Sequence, residues 1–377
     1  MKALSRAWIV ILFLLAGCSG GSGRVSTSEL ASCGSGELFT ALPMALADFR
    51  GLVPLGTLNP SGHTLPTDHL YFYIRLTDPA NSSSDPASVN VYAPGNIRIT
   101  EVSVSEHLSA NPPYSDYTIT FYPCEELHAY FGHIQSLSSS FSGQVGSVTD
   151  NCETYSTGGE SFSSCSKTVS IDVAAGALLG TAGRKSQLAL DFGAYDSRIT
   201  PEGFANQSRF TTSYPYAVCP VDYFSASLKN NLETRFSSYT GATQRTADPV
   251  CGEVGQDVSE TAQGLWFLPN TATYPEDPHL ALAHDNITPS IGVFSVGTSL
   301  TGVDSGVYTF TPVSSGFINR DFSGVTADGN RYCYETGEGV VFMLQLANSA
   351  TLHIQKLDQA NCDIIPDFDS ATVTYER

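Results

Sequence analysis

Basic residues are scarce in this sequence. Of 377 residues only 18 are Lys or Arg, against 37 Asp or Glu, and charged residues of both signs make up 15%. A formal net charge of −19 repels polyanions, so nucleic-acid binding is disfavoured. No uninterrupted apolar stretch reaches the 18 or so residues that a transmembrane helix needs, so none is expected. There is no Cys-x-x-Cys pair, which argues against a zinc ribbon or a thioredoxin-like site. The Gly-x-Ser-x-Gly spacing occurs only at Gly17–Gly21, directly after an apolar N-terminal run rather than between a strand and a helix, and no phosphate-cradling P-loop occurs. Three Met and two Trp stand beside 33 Gly, 20 Pro, 18 Tyr and 20 Phe. That balance, with 41% hydrophobic residues, describes a turn-rich, mainly β protein with a real core rather than a disordered chain.

The first residues carry their own message. Lys2 and Arg6 form a short basic start, and AWIVILFL (7–14) is an apolar stretch too short to span a bilayer. Leu15-Ala16-Gly17-Cys18 then resembles a bacterial lipobox. The resemblance implies a lipoprotein signal peptide over 1–18 that is cleaved before Cys18, a diacylglycerol lipid on Cys18 as the mature N-terminus, and anchoring to a membrane of the cell envelope. The alternative is an ordinary secretory signal with an incidental cysteine. Ser19 after the cysteine favours the outer over the inner membrane. The SGGSG that follows opens a tether over 19–40.

Eight further cysteines remain: Cys33, Cys124, Cys152, Cys165, Cys219, Cys251, Cys333 and Cys362. An even number in an exported protein predicts up to four disulfides, in any of about 105 pairings. Local order suggests Cys152–Cys165 and Cys333–Cys362.

Short apolar runs separated by turns fill 41–200: LYFYIRL (70–76), SVNVYA (88–93), NIRITEVSVSEH (96–107), DYTITFYP (116–123), HAYFGHIQSL (128–137), TVSIDV (168–173) and QLALDFGAY (187–195). Several alternate with the period of half-buried strands. Residues 136–167, rich in Ser and Gly, read as an exposed, disulfide-clipped excursion. Phe224, Leu228, Leu232 and Phe236 recur every four residues and predict a helix over 222–238, within a connector spanning 201–245. Strand-like runs return over 246–377, as a second all-β unit.

Four places could carry chemistry. His63, Asp68 and His69 lie on a loop that runs into a strand, a setting that suits zinc ligands; the alternative is a proline-ordered turn whose side chains satisfy the backbone. His128 and His133 are five apart on an expected strand, so their rings should face opposite sides and only one should share a site with His63. Asp191 sits between Leu190 and Phe192, where a carboxylate is either buried with partners or functional. EDPHLALAHDN (276–286) brings Glu276, Asp277, His279, His284 and Asp285 to the two ends of a strand, as turn caps or as a divalent-ion site.

In order, the segments over 55–197 resemble the lysostaphin/LytM-type zinc endopeptidases, which cleave peptidoglycan cross-bridges. The counterparts are His63 with Asp68, SVNVYAPGNIRI, Tyr130-Phe131-Gly132-His133-Ile134, VAAGALLGTAG and LALDF. The resemblance implies a twisted antiparallel β-sheet groove, with zinc held by His63, Asp68 and Asp191 and His133 as the catalytic imidazole. Two departures stand out. Four residues separate His63 from Asp68 where the family has three, and the family's His-x-His falls on Ala189 and Asp191. Ala189 cannot serve as a base, and two anionic ligands should raise the pKa of a zinc-bound water. The pattern therefore points to a degenerate domain kept for binding peptidoglycan or an envelope protein; the alternative is a divergent zinc-dependent hydrolase of cell-wall peptides.

Overall fold

The computed structural model describes residues 30–157, 160–184 and 188–377. Cys18, the lipobox and the first part of the tether lie outside the described residues. The chain is mainly β, with 40% strand and 8% helix. Ten strands form one antiparallel sheet: β1 (Phe49–Val53), β2 (His69–Ile74), β3 (Val89–Tyr92), β4 (Ile97–His107), β5 (Tyr114–Tyr122), β6 (Leu127–Leu137), β7 (Asp150–Thr157), β8 (Glu160–Val173), β9 (Leu178–Ala182) and β10 (Ala189–Asp196). Their spatial order is β1-β2-β10-β6-β5-β4-β8-β7, with β9 joining β3 to β6.

Alternation along the strands separates two faces. Leu70, Phe72 and Ile74 of β2, Phe131 of β6 and Leu190 and Phe192 of β10 are buried in a core that takes in Phe39 and Phe224. Phe192 is central there, its ring 4.7 Å from Phe131 and 5.7 Å from Phe39. The intervening residues, His69, Tyr71 and Tyr73 on β2 and Asp191, Gly193 and Tyr195 on β10, face a groove on the other side.

Two expectations needed revision. The 136–167 segment is built rather than looped: α1 (Ser139–Val145) buries Phe141 and Val145, and β7 and β8 form a hairpin whose β8 pairs along β4. Serine-rich strands carry little hydrophobic alternation, so only residues 168–173 of β8 were legible. The helix α2 (Ala226–Glu233) is also shorter than its apolar stripe. Phe224 and Phe236 are buried, but outside the helix. The chain beyond it is captured by β1, Leu52 N–H donating to Arg235 O and Ser237 N–H to Leu52 O.

The second unit holds two four-stranded antiparallel sheets. One comprises β11 (Gly264–Trp266), β12 (Leu280–His284), β13 (Gly292–Val296) and β14 (Gly306–Phe310). The other comprises β15 (Tyr332–Glu335), β16 (Val341–Asn348), β17 (Thr351–Leu357) and β18 (Val373–Glu376). Trp266, Phe294, Tyr334 and Phe342 fill the space between them. Leu265, Phe267 and Ala281 instead join the first core, so alternate residues of β11 and β12 feed both cores. The two units are thereby packed as one body around the β11–β12 connection.

All eight described cysteines are paired: Cys33–Cys124, Cys152–Cys165, Cys219–Cys251 and Cys333–Cys362. The two pairs suggested by local order are among them. Four disulfides mark an oxidising, extracytoplasmic environment. Among the described residues no helix is long and apolar enough to cross a membrane.

Candidate metal centre

The groove face of the sheet gathers titratable side chains around Asp191. Register explains how. Asp191 of β10 lies opposite Tyr71 of β2 and opposite Gly132 of β6. A Cβ at Gly132 would stand 3.2 Å from Asp191 Oδ2, so the missing side chain makes the room the carboxylate occupies. At the next groove-facing position on β10, Gly193 is covered by the Tyr130 ring in the same way.

His133 reaches this face because β6 bulges. Tyr117 pairs with Ile134 but Ile119 with Phe131, which leaves one extra residue on β6, and His133 has φ +60°. A bulge inverts the alternation that follows it. The expectation that His128 and His133 face opposite sides is therefore overturned. His128 stacks on the groove residue Tyr195, ring centroids 4.7 Å apart, and His133 points into the same groove.

Two imidazoles converge on one carboxylate. His69 Nε2 is 3.6 Å and His133 Nε2 3.4 Å from Asp191 Oδ2. Each ring is held from behind through Nδ1, His69 by Asp68 Oδ1 at 2.9 Å and His133 by Asp116 Oδ2 at 3.0 Å. Asp68 is itself fixed by Tyr195, whose hydroxyl donates to Oδ2 at 2.7 Å. Asp116 also meets His107 Nε2 at 3.0 Å. His63 stands beside the pair, its ring centroid 5.6 Å from that of His69.

Electrostatics follow from these contacts. The Asp191 carboxylate, outweighing burial and helped by Asp116, lifts His133 to about 9. Burial opposes the charged form of His69, but Asp191 and Asp68 together raise its pKa. Burial, with His69 adding to it, lowers His63 to about 4, so His63 is neutral at ordinary pH. Burial works against ionised Asp68 and Asp116, but their histidine partners hold both below the usual carboxylate range.

Asp68 thus differs in role from the ligand set that the resemblance implies. Both its oxygens are engaged by His69 and Tyr195, and the neighbouring His69 presents the free nitrogen. His69 Nε2 and Asp191 Oδ1 are buried without a hydrogen-bond partner, a state that costs about 1–3 kcal/mol per group. Imidazoles backed by carboxylates, with a further carboxylate between them, are the donor set and outer shell of a zinc site. The residues present fit such an ion in kind but not in spacing. The three donor atoms are spread more widely than in a loaded site, since among the described residues only Cys33, Cys124 and Glu126 bring ligand atoms within 4.8 Å of one another. That group is no metal site, because its sulfurs form a disulfide and Glu126 accepts from Cys33 N–H at 2.6 Å.

The sequence reading named His69 but left it out of the ligand set, and it missed Asp116, Tyr195 and the bulge. An isolated glycine inside a strand pattern, as at Gly132, is a bulge signal that could have been read. In the second unit His279 is fully buried, its Nε2 near the carbonyls of Ala272 and Thr273 at 3.0 and 3.1 Å, and Asp285 caps the Ile287 and Thr288 amides. These are turn-capping roles. Glu276 leaves that cluster and reaches the first unit, where Oε2 accepts from Leu65 N–H at 2.8 Å.

Comparison with protein-family models, curated proteins and solved structures gives no match to this chain.

Proposed function

We propose that the protein is a lipid-anchored envelope protein whose groove is a zinc-dependent hydrolase centre acting on cell-wall peptides. The observation that carries this reading is the convergence of His69 and His133, each carboxylate-backed, on Asp191. His69, His133 and Asp191 would hold the metal. A zinc ion held there would supply a hydroxide near neutral pH and would polarise an amide carbonyl. The chain's own residues do the rest. Asp68 and Asp116 orient the two imidazoles and fix their tautomers. His63, neutral and beside His69, is the remaining imidazole that would take up a proton, a role Ala189 cannot serve. With Asp68 engaged by His69 and Tyr195, the ligand set carries one carboxylate rather than two, which favours a lower pKa for the bound water. The lipobox at Cys18 and the four disulfides support an anchored, extracytoplasmic protein, with peptidoglycan as its neighbouring polymer.

A second reading, a groove that binds cell-wall peptides without cutting them, is favoured by Ala189, which lies two residues before Asp191 where the resembled family carries histidine. Purified protein separates the two. Stoichiometric zinc by mass spectrometry, lost in His133→Ala and Asp191→Ala, with release of soluble fragments from isolated peptidoglycan, supports the hydrolase. Binding of peptidoglycan without release, with or without zinc, supports the second reading, and a protein that neither takes up zinc nor binds peptidoglycan rejects both.

A further inference from the structure

Beside the metal centre a cavity of about 400 Å³ opens where the loop between β11 and β12 meets the first unit. Tyr130, Tyr195, Tyr214 and Tyr274 line it, together with the carboxyl groups of Asp68 and Glu276. No lysine or arginine is among the described lining residues. Three features of these walls point the same way.

First, two of the four tyrosine hydroxyls are tied down. Tyr195 donates to Asp68 Oδ2 at 2.7 Å and Tyr214 to Pro66 O at 2.5 Å, so these two rings are held as fixed walls. Aromatic faces carry negative quadrupole potential and attract cations. Second, two carboxyl groups, Asp68 and Glu276, stand on these walls, and the basic side chains there are the imidazoles of His63 and His69, the latter already held by Asp68 at 2.9 Å. Third, Glu276 is a reserve anion: burial, reinforced by Asp68, lifts it to about 8, so a cation entering the cavity would meet a carboxyl that ionises in response. An inorganic cation would use only the oxygens. A cation surrounded by carbon would use the rings as well.

We propose that this cavity binds an organic ammonium group, with Tyr130, Tyr195, Tyr214 and Tyr274 as an aromatic enclosure and Asp68 and Glu276 as counter-charges. The site belongs to neither unit alone, because Tyr274 and Glu276 come from the second and the remaining walls from the first. This gives the second unit a direct part in ligand selection. His69, a proposed metal ligand, also lines this cavity and Asp68 orients it, so the ammonium site is tested apart from the metal.

The test uses the chelator-treated protein, so that a failure of zinc binding cannot affect it. Choline, n-butylammonium and the neutral choline isostere 3,3-dimethylbutan-1-ol are titrated at constant ionic strength and followed by isothermal calorimetry and tyrosine NMR shifts. We expect an ammonium probe to bind in the millimolar range or tighter, and about tenfold more tightly than the neutral isostere. Choline against butylammonium distinguishes a quaternary from a primary ammonium site. Tyr274→Ala and Glu276→Gln should each weaken binding severalfold, and because Tyr274 is 37% exposed its truncation should leave the melting temperature near that of the parent. Equal affinity for the isostere would overturn the proposal in favour of a plain apolar pocket. So would saturation that neither substitution changes, or no binding of either ammonium probe at millimolar concentration.

Discussion

Gly132 and Asp191 face each other across β6 and β10, and the carboxylate fills the space that a Cβ at 132 would need, with Oδ2 3.2 Å and Cβ 3.3 Å away. Contacts that short force one partner to move, and Asp191 is the side chain on which His69 and His133 converge. Gly132→Ala should therefore shift Asp191 and weaken zinc binding by about tenfold or more, as outer-shell disturbances do. Global stability should change far less, because the face concerned is the groove and not the core. Competition with a chromophoric chelator measures the first and thermal melting the second. Unchanged affinity would mean that Asp191 is not a ligand.

The two backing carboxylates make a parallel case. Asp116→Asn keeps the shape of the side chain but removes the charge that holds His133 Nδ1. Loss of such a partner typically costs about 10–100-fold in metal affinity. Asp68→Asn should cost a similar factor through His69, although Asp68 was expected to be a ligand itself. If Asp68→Asn abolished binding outright while His69→Gln left it intact, Asp68 would regain the ligand role and His69 would lose it.

How much of this could be read beforehand depends on the kind of signal each residue gives. Strands such as β2 and β10 alternate apolar and polar residues, and that alternation alone separates Phe72 and Phe192 in the core from Tyr71 and Asp191 in the groove. The elements that escaped notice lack it: β7 is polar except for Cys152 and Tyr155, the first part of β8 is rich in Ser, and β15 is only four residues long. The site was half legible. His63, Asp68, His133 and Asp191 lie together, but which of Asp68 and His69 offers a free donor atom is decided by Tyr195, 127 residues away in sequence. The parity of His128 and His133 turned on one bulge residue, and counting by twos assumes there is none.

The disulfides should contribute unequally. In the chain-entropy account, stabilisation grows with the enclosed loop, so Cys33–Cys124, separated by 91 residues, is worth about 4.6 kcal/mol and Cys152–Cys165, separated by 13, about 3 kcal/mol. Cys33→Ser with Cys124→Ser should lower the melting temperature more than Cys152→Ser with Cys165→Ser. Thiol titration of the denatured, unreduced mature protein should find almost none free. Four or more reactive thiols would show that the pairing does not form in the cell.

Anchoring through Cys18 has its own check. Cys18→Ser should move the protein from the envelope fraction to the soluble exported fraction or leave it unprocessed, and the mass of the parent should exceed that of the peptide by a diacylglycerol group. Identical fractionation and mass in parent and variant would make Cys18 incidental.

Acidity links the metal to the fold. In the metal-free protein His133 has a pKa of about 9 against 6.5 for an ordinary histidine, because Asp191 and Asp116 favour its charged form. A group whose pKa is raised on folding stabilises fully below its unfolded value and loses that contribution as pH climbs through the folded value. The metal-free protein should therefore become less stable between about pH 6.5 and about pH 9. The His133 side chain is 43% exposed, so solvent screening keeps the effect modest. Zinc reverses the sign. It requires neutral His133 Nε2, so below pH 9 it must displace a proton, and its affinity should rise with pH by up to about tenfold per unit for one proton released. The melting-temperature increase produced by zinc should widen over the same interval in which the metal-free protein weakens. Replacing His133 with Gln should flatten both trends together. A zinc affinity that stays constant from pH 6 to pH 8.5, or an unchanged trend in His133→Gln, would remove His133 from the centre.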